Sequence, residues 1–167
     1  MSAAAPATPR TPSIARRLAC MLYEAFVLAA IAFAAGNLFL LASAGQQASG
    51  WMRFALQLYL LAVFAAYFLW CWLRGGQTLP MRAWRIRLVA PGHARVPARA
   101  ALLRFAYATL FIGSFVACVA AAFVHRNALL AFASLAVSGV GIGWALVDRD
   151  GQFLHDRLAG TRLVQVD

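Results

Sequence analysis

The chain has no lysine, a single glutamate and few charges of any kind. Charged residues make up 12% of its 167 positions, against about 25% in an average soluble domain. That shortage argues against an ordinary water-soluble globule. Cysteine is scarce too: Cys20, Cys71 and Cys118 lie far apart in apolar segments. An odd, scattered set of this kind predicts no disulfide framework. The histidines, His93, His125 and His155, show no metal-ligand spacing, and His-x-x-x-His, Cys-x-x-Cys and serine-nucleophile motifs are missing. No metal, triad or cofactor-loop chemistry is legible, so neither an enzyme nor a cofactor is expected. Negative charge is rare: Glu24 and four aspartates stand against fifteen arginines, for a net charge of +10. The arginines lie between apolar runs rather than along one solvated face. Nucleic-acid binding needs a continuous basic footprint and is not expected.

What the chain has is apolar residues, at 63% of the sequence and a mean hydropathy of +0.74. Four apolar runs stand out, at about 18–43, 54–73, 102–124 and 128–147. Each reaches the roughly 20 residues that cross a bilayer as a helix, and helix is required where lipid offers backbone amides no partner. The predicted fold class is an all-α membrane protein with four transmembrane helices. Residues 1–13, MSAAAPATPRTPS, are rich in Ala, Pro and Ser and predict a disordered tail, followed by one membrane domain over 14–167. A signal peptide competes for the first run, because Arg16-Arg17 precede it. The run is too long for a signal core and carries Glu24, so it is read as a retained helix.

Arginine placement predicts orientation. Thirteen arginines fall on the N-terminal flank, the inner loop with its flanks and the C-terminal tail, and only Arg53 and Arg126 fall on the other side. The asymmetry predicts a multi-pass protein with both termini cytoplasmic. Arginines at that surface also favour anionic lipids as partners.

The cytoplasmic insertion, 74–101, opens with GGQTLPMRAW. Pro80 suits a first helical turn and Thr78 can cap it. In RIRLVAPGHARV, the alternation around Ile86 and Leu88 predicts a strand over about 85–90, with Pro91-Gly92 as a turn. TRLVQV alternates in the same way, which predicts a second strand over about 161–166. The two are expected to form a small cytoplasmic β element.

In the fourth run, Gly139 and Gly143 make a GxxxG pattern beside Ser134, Ser138 and Gly141, and the third offers Gly113, Ser114 and Ala117. Close packing within the bundle is expected, with a homo-oligomer as the alternative. Gly-x-Gly-x-Gly lacks the βαβ context of a dinucleotide site. Asn37 and Gln57 are expected to hydrogen-bond across the first two helices. Trp51, Trp70, Trp72, Trp84 and Trp144 are expected to form an aromatic belt.

Glu24 is the outlier within the apolar runs. It lies seven residues after Arg17, about 10 Å deeper along a helix. A carboxylate at a helix centre costs about 2.5–3.5 kcal/mol on insertion scales. Glu24 is therefore expected to face protein or water, with a basic or donor partner. Arg104, Arg16 and Arg157 are the candidates. One reading is a site that exchanges protons or ions; the other is an ion pair that fixes helix packing.

Taken together, ARRLA at 15–19 with an acid seven residues beyond Arg17, GQTL at 76–79, RALLRFAY, and FLHDRLAGTRLV resemble the RDD family of bacterial inner-membrane proteins. The resemblance spans about 13–166. It implies that the family arginine is Arg17 (or Arg16) and that the two family acids are Glu24 and Asp156. His155 and Arg157 flank the second acid. Glu stands where the family has Asp, and Pro80-Met81 stand where Gly-Lys commonly follows GxTL. Arg82 is the nearest cation. The resemblance implies transport, with some members linked to sodium–proton exchange. A cation or proton-coupled transporter is thus the first expectation, and a non-transporting membrane scaffold is the alternative.

Overall fold

The computed structural model describes residues 10–43, 49–114 and 128–166. Two long helices dominate it. Helix α1, Ile14–Ala42, starts at Ser13, whose Oγ accepts from the amide of Arg16 at 3.3 Å. Helix α2, Gly50–Gly75, starts at Ser49, whose Oγ accepts from Met52 at 3.3 Å. At 1.5 Å per residue they run for about 43 and 39 Å, enough to cross a hydrocarbon core of about 30 Å. The most apolar stretch of each has no buried residue. Leu22, Phe26, Phe33, Leu41, Trp51 and Phe54 point outward. Exposed apolar helices of this length fit a bilayer as their solvent. They are the two candidate spans among the described residues.

Helix α2 ends at Gly76, in the left-handed region at φ 67°. A Cβ at Gly76 would also stand 2.6 Å from the carbonyl oxygen of Leu88, so conformation and space both require glycine. The chain then turns into the short helix α3, Leu79–Ala83. Thr78 caps it, its Oγ1 accepting from Met81 at 3.4 Å, and Pro80 occupies the first turn. Strand β1, Ile86–Val89, returns past Gly76, and the Leu88 amide donates to the Gly76 oxygen at 2.8 Å.

Helix α4, Ala98–Ala108, continues into a π-helical turn at Thr109–Gly113. It begins four residues before the expected start at 102, because Ala98–Ala101 extend the helix back to Pro97, which cannot continue it upstream as a donor. Residues 115–124 of the predicted third span lie outside the described residues. Helix α5, Ala128–Val147, is followed by the short helix α6, Leu154–Leu158, and by strand β2, Arg162–Gln165.

The two strands pair antiparallel, with Ile86 opposite Gln165 and Leu88 opposite Leu163. The expected β element is present. Alternation carries it: Ile86 and Leu88 are buried while Arg87 is exposed. An isolated ribbon is marginal, and this one packs into a core. Cys20, Trp72, Met81, Ile86, Leu88, Val96, Ala101 and Leu163 form that core, flanked by Phe68 and Phe105. It sits at the end of the helix pair where α1 begins and α2 stops.

Three expectations change. Residues 10–13 are not a loose tail: the Gln165 amide donates to the Arg10 oxygen at 2.8 Å, Thr11 Oγ1 donates to the Asp150 oxygen at 3.1 Å, and Pro12 is buried. Residues 1–9 lie outside the described set. Asn37 donates to Phe33 one turn back within α1, at 2.6 Å, and Gln57 is exposed, so they do not bridge the helices. Trp72 is 3% exposed and belongs to the core, not to a belt. Among the described residues nothing lies within 4 Å of a Cβ placed on Gly139 or Gly143. Gly141 is the glycine in contact, its Cβ position 3.6 Å from Phe111.

Candidate functional site

The second acid, Asp156, is carried by α6. That helix has only five residues, and its position is held from both ends. Before it, Asp148 Oδ2 accepts from the Gln152 amide at 2.9 Å, and the buried Gln152 side chain clamps β2. Its Oε1 accepts from the Leu163 amide at 2.9 Å, and its Nε2 donates to the Leu163 oxygen at 3.3 Å. After it, Gly160 at φ 66° turns the chain, and Thr161 donates through its amide to the Asp156 oxygen at 3.0 Å. Phe153 is almost wholly buried, whereas Leu158 is exposed. Phe153 seats the helix.

Asp156 is fully buried and pairs with Arg104 of α4, Nε to Oδ1 at 2.7 Å. The Arg104 guanidinium lies over the Trp72 ring at 4.5 Å, so one cation joins α2, α4 and α6. Arg16 and Arg17, at the start of α1, do not make this bond. Arg17 is buried beside it, its guanidinium 4.3 Å from the centre of the Phe153 ring and within electrostatic range of Asp156. Among the described residues its Nε and Nη1, like Asp156 Oδ2, have no hydrogen-bond partner. His155 Nε2 is 3.7 Å from Asp156 Oδ2, and its ring stacks on Phe153. Burial pushes the His155 imidazole down to about 4. Asp156 opposes that fall, while the charges of Arg104 and Arg17 add to it. The ring is therefore neutral near pH 7.

Glu24 stands apart from this cluster. Its Oε1 accepts from Tyr67 Oη at 2.8 Å, and its Oε2 accepts from Thr78 Oγ1 at 2.5 Å. Both direct partners are neutral donors. Arg104 is within electrostatic range of Glu24 as well as bonded to Asp156, so it is the cation between the two acids. Arg17 and Asp156 share one cluster, and Glu24 occupies a second.

Two other expected partners sit elsewhere. Arg157 is exposed and pairs with Asp150 Oδ2 at 2.8 Å and Asp148 Oδ1 at 3.5 Å. Arg16 is half-buried on a cleft with Trp84 and Arg85. The sequence marks Thr78 as a cap but not as a donor to Glu24, and marks Tyr67 as neither. A hydroxyl at Thr78 can do both, since the oxygen that accepts from Met81 still has a proton to give. No spacing rule links Glu24 to residues 43 and 54 positions away.

The sequence pattern of the RDD family matches this chain over residues 11–160. The chain belongs to the RDD family. The matched stretch includes α1 from its first turn, the GQTL turn that delivers Thr78, and the whole of α6 with Asp156. No curated protein and no solved structure matches the chain. In this RDD protein Asp156 and Glu24 are thus divided between an ion-paired clasp and a hydroxyl-lined site.

Proposed function

We propose that this RDD protein is a small four-span protein of the bacterial inner membrane, with both termini cytoplasmic, in which Glu24 exchanges a proton or a monovalent cation. The observation that carries this reading is that, among the described residues, Glu24 is held by two neutral hydroxyls and by no direct cation. Hydroxyls serve both protonation states: they donate to a carboxylate and accept from a carboxylic acid. An all-oxygen setting also suits a hard cation. An arginine bonded to Glu24 would lock it ionised; here Arg104 gives its hydrogen bond to Asp156. No enzymatic role is proposed. A single four-helix chain leaves little room for a gated path, so the working unit is a homo-oligomer.

The test is cation and proton flux in proteoliposomes, across pH and across monovalent cations. Wild-type protein should carry flux and Glu24→Gln should not, with both variants folded. Unchanged flux in Glu24→Gln removes Glu24 from the pathway.

The buried Arg104–Asp156 pair favours a second reading, a scaffold that fastens the cytoplasmic ends of the helices. Full membrane accumulation of a wild-type protein with no flux in any gradient would favour it.

A further inference from the structure

A cleft of about 290 Å³ opens between the first turn of α1 and the corner that joins α3 to β1. Arg16, Ala83, Trp84, Arg85, Gln165 and Val166 line it. We infer that this cleft binds the phosphate of an anionic phospholipid headgroup, between the guanidinium groups of Arg16 and Arg85.

Three observations carry the inference. First, among the described residues two cations and no acid line the cleft, and neither arginine has an ion-pair or hydrogen-bond partner for its side chain. Arginine forks match phosphate oxygens. Second, Arg85 is the one non-glycine described at positive φ, at 53°. Such a conformation is uncommon outside glycine, asparagine and aspartate. It is held by the Arg85 amide on the Arg82 oxygen at 3.1 Å and by the Val166 amide on the Arg85 oxygen at 2.9 Å. The turn places a cation at the cleft where a glycine would have relaxed the backbone. Third, the cleft lies at the end of a candidate span, where headgroups sit. Trp84 on its wall, with Leu79 and Leu18 nearby in the same elements, exposes apolar surface. Tryptophan belongs at that depth, and exposed leucines can meet acyl chains.

The same phosphate chemistry exists in solution, so source matters. A free phosphate would need only the two arginines. The exposed apolar rim and the membrane-edge position favour a lipid. The inference rests on the membrane placement proposed above but not on exchange at Glu24.

The experiment is native mass spectrometry of the full chain in neutral detergent, titrated with phosphatidylglycerol, phosphatidylcholine or inorganic phosphate. Wild-type protein should retain phosphatidylglycerol in preference to phosphatidylcholine. Arg16→Gln with Arg85→Gln should weaken that retention about 30-fold, from two interfacial arginines. Arg16→Lys with Arg85→Lys should keep most of it, and Arg53→Gln with Arg149→Gln should leave it unchanged. If the double glutamine variant does not fold, Ala83→Glu decides: it places an anion on the exposed wall and should also expel the lipid. Equal retention of both lipids, or full retention in Ala83→Glu, overturns the inference. Displacement of the lipid by millimolar inorganic phosphate overturns the lipid as its source. Liposome flotation tests the membrane placement separately, and no flux is read, so failure here leaves the Glu24 reading standing.

Discussion

Asp156 and Glu24 are both carboxylates withdrawn from water, yet the protein treats them in opposite ways. Asp156 receives a charged guanidinium at 2.7 Å and lies in a five-residue helix tied down on both sides. Glu24 receives two hydroxyls and lies within a 29-residue apolar helix. A buried charge with its counter-charge is committed to one ionisation state, and removing either partner strands the other. A half-buried acid among hydroxyls can change state while its neighbours merely turn their protons. That difference supports the proposed division, with holding at Asp156 and exchange at Glu24.

The largest expected effect breaks the holding side. Asp156→Asn leaves Arg104 buried without its counter-charge and should cost about 3–5 kcal/mol. Thermal melting and the yield of folded protein in membranes measure it. A loss no greater than that of Glu24→Gln would end the distinction between the two acids.

The second effect comes from His155. Its folded value is depressed from 6.5 to about 4, so the unfolded chain binds a proton that the folded chain refuses. Stability from this residue is fully present above about pH 6.5. It falls as pH drops towards 4, by on the order of 3 kcal/mol in total. His155→Gln should flatten that part of a pH–stability curve; an unchanged acid limb would contradict the burial argument.

Glu24→Gln comes next. The amide can still bond both hydroxyls, so the expected loss of stability is about 1 kcal/mol, with flux abolished. Preserved flux would reduce Glu24 to packing. The smallest effect is expected for Arg157→Ala. Its pairs with Asp148 and Asp150 are formed by a side chain that is about half exposed, and exposed pairs contribute roughly 0–1 kcal/mol. A large loss there would bring Arg157 back into the clasp.

Much of the fold was legible because it rests on local pattern. The apolar runs that became α1 and α2, the Thr78 cap with Pro80 behind it, and the alternating strands at 86–89 and 162–165 are all short-range signals. The outlier status of Glu24 was legible too, since one acid in an apolar run must be compensated. The compensation was not. Tyr67 and Thr78 come from the far end of α2 and the turn beyond it, and nothing in their spacing from Glu24 marks them. Arg157 was a candidate partner for Glu24, and nothing local in the sequence ruled it out. In α6 adjacent side chains point in different directions, and Arg157 faces water while Asp156 faces Arg104. Trp72 looked like a membrane-edge tryptophan because the residues around it are apolar; it is covered by Arg104 instead.

By itself the sequence determined family, hydropathy, the candidate spans and the ribbon, because each depends on residues within a few turns or on a pattern repeated along the chain. Only the tertiary structure decided which arginine meets which acid. Ion pairing and hydroxyl donation act over about 3 Å, and the residues that come within that distance here are 43 to 54 positions apart.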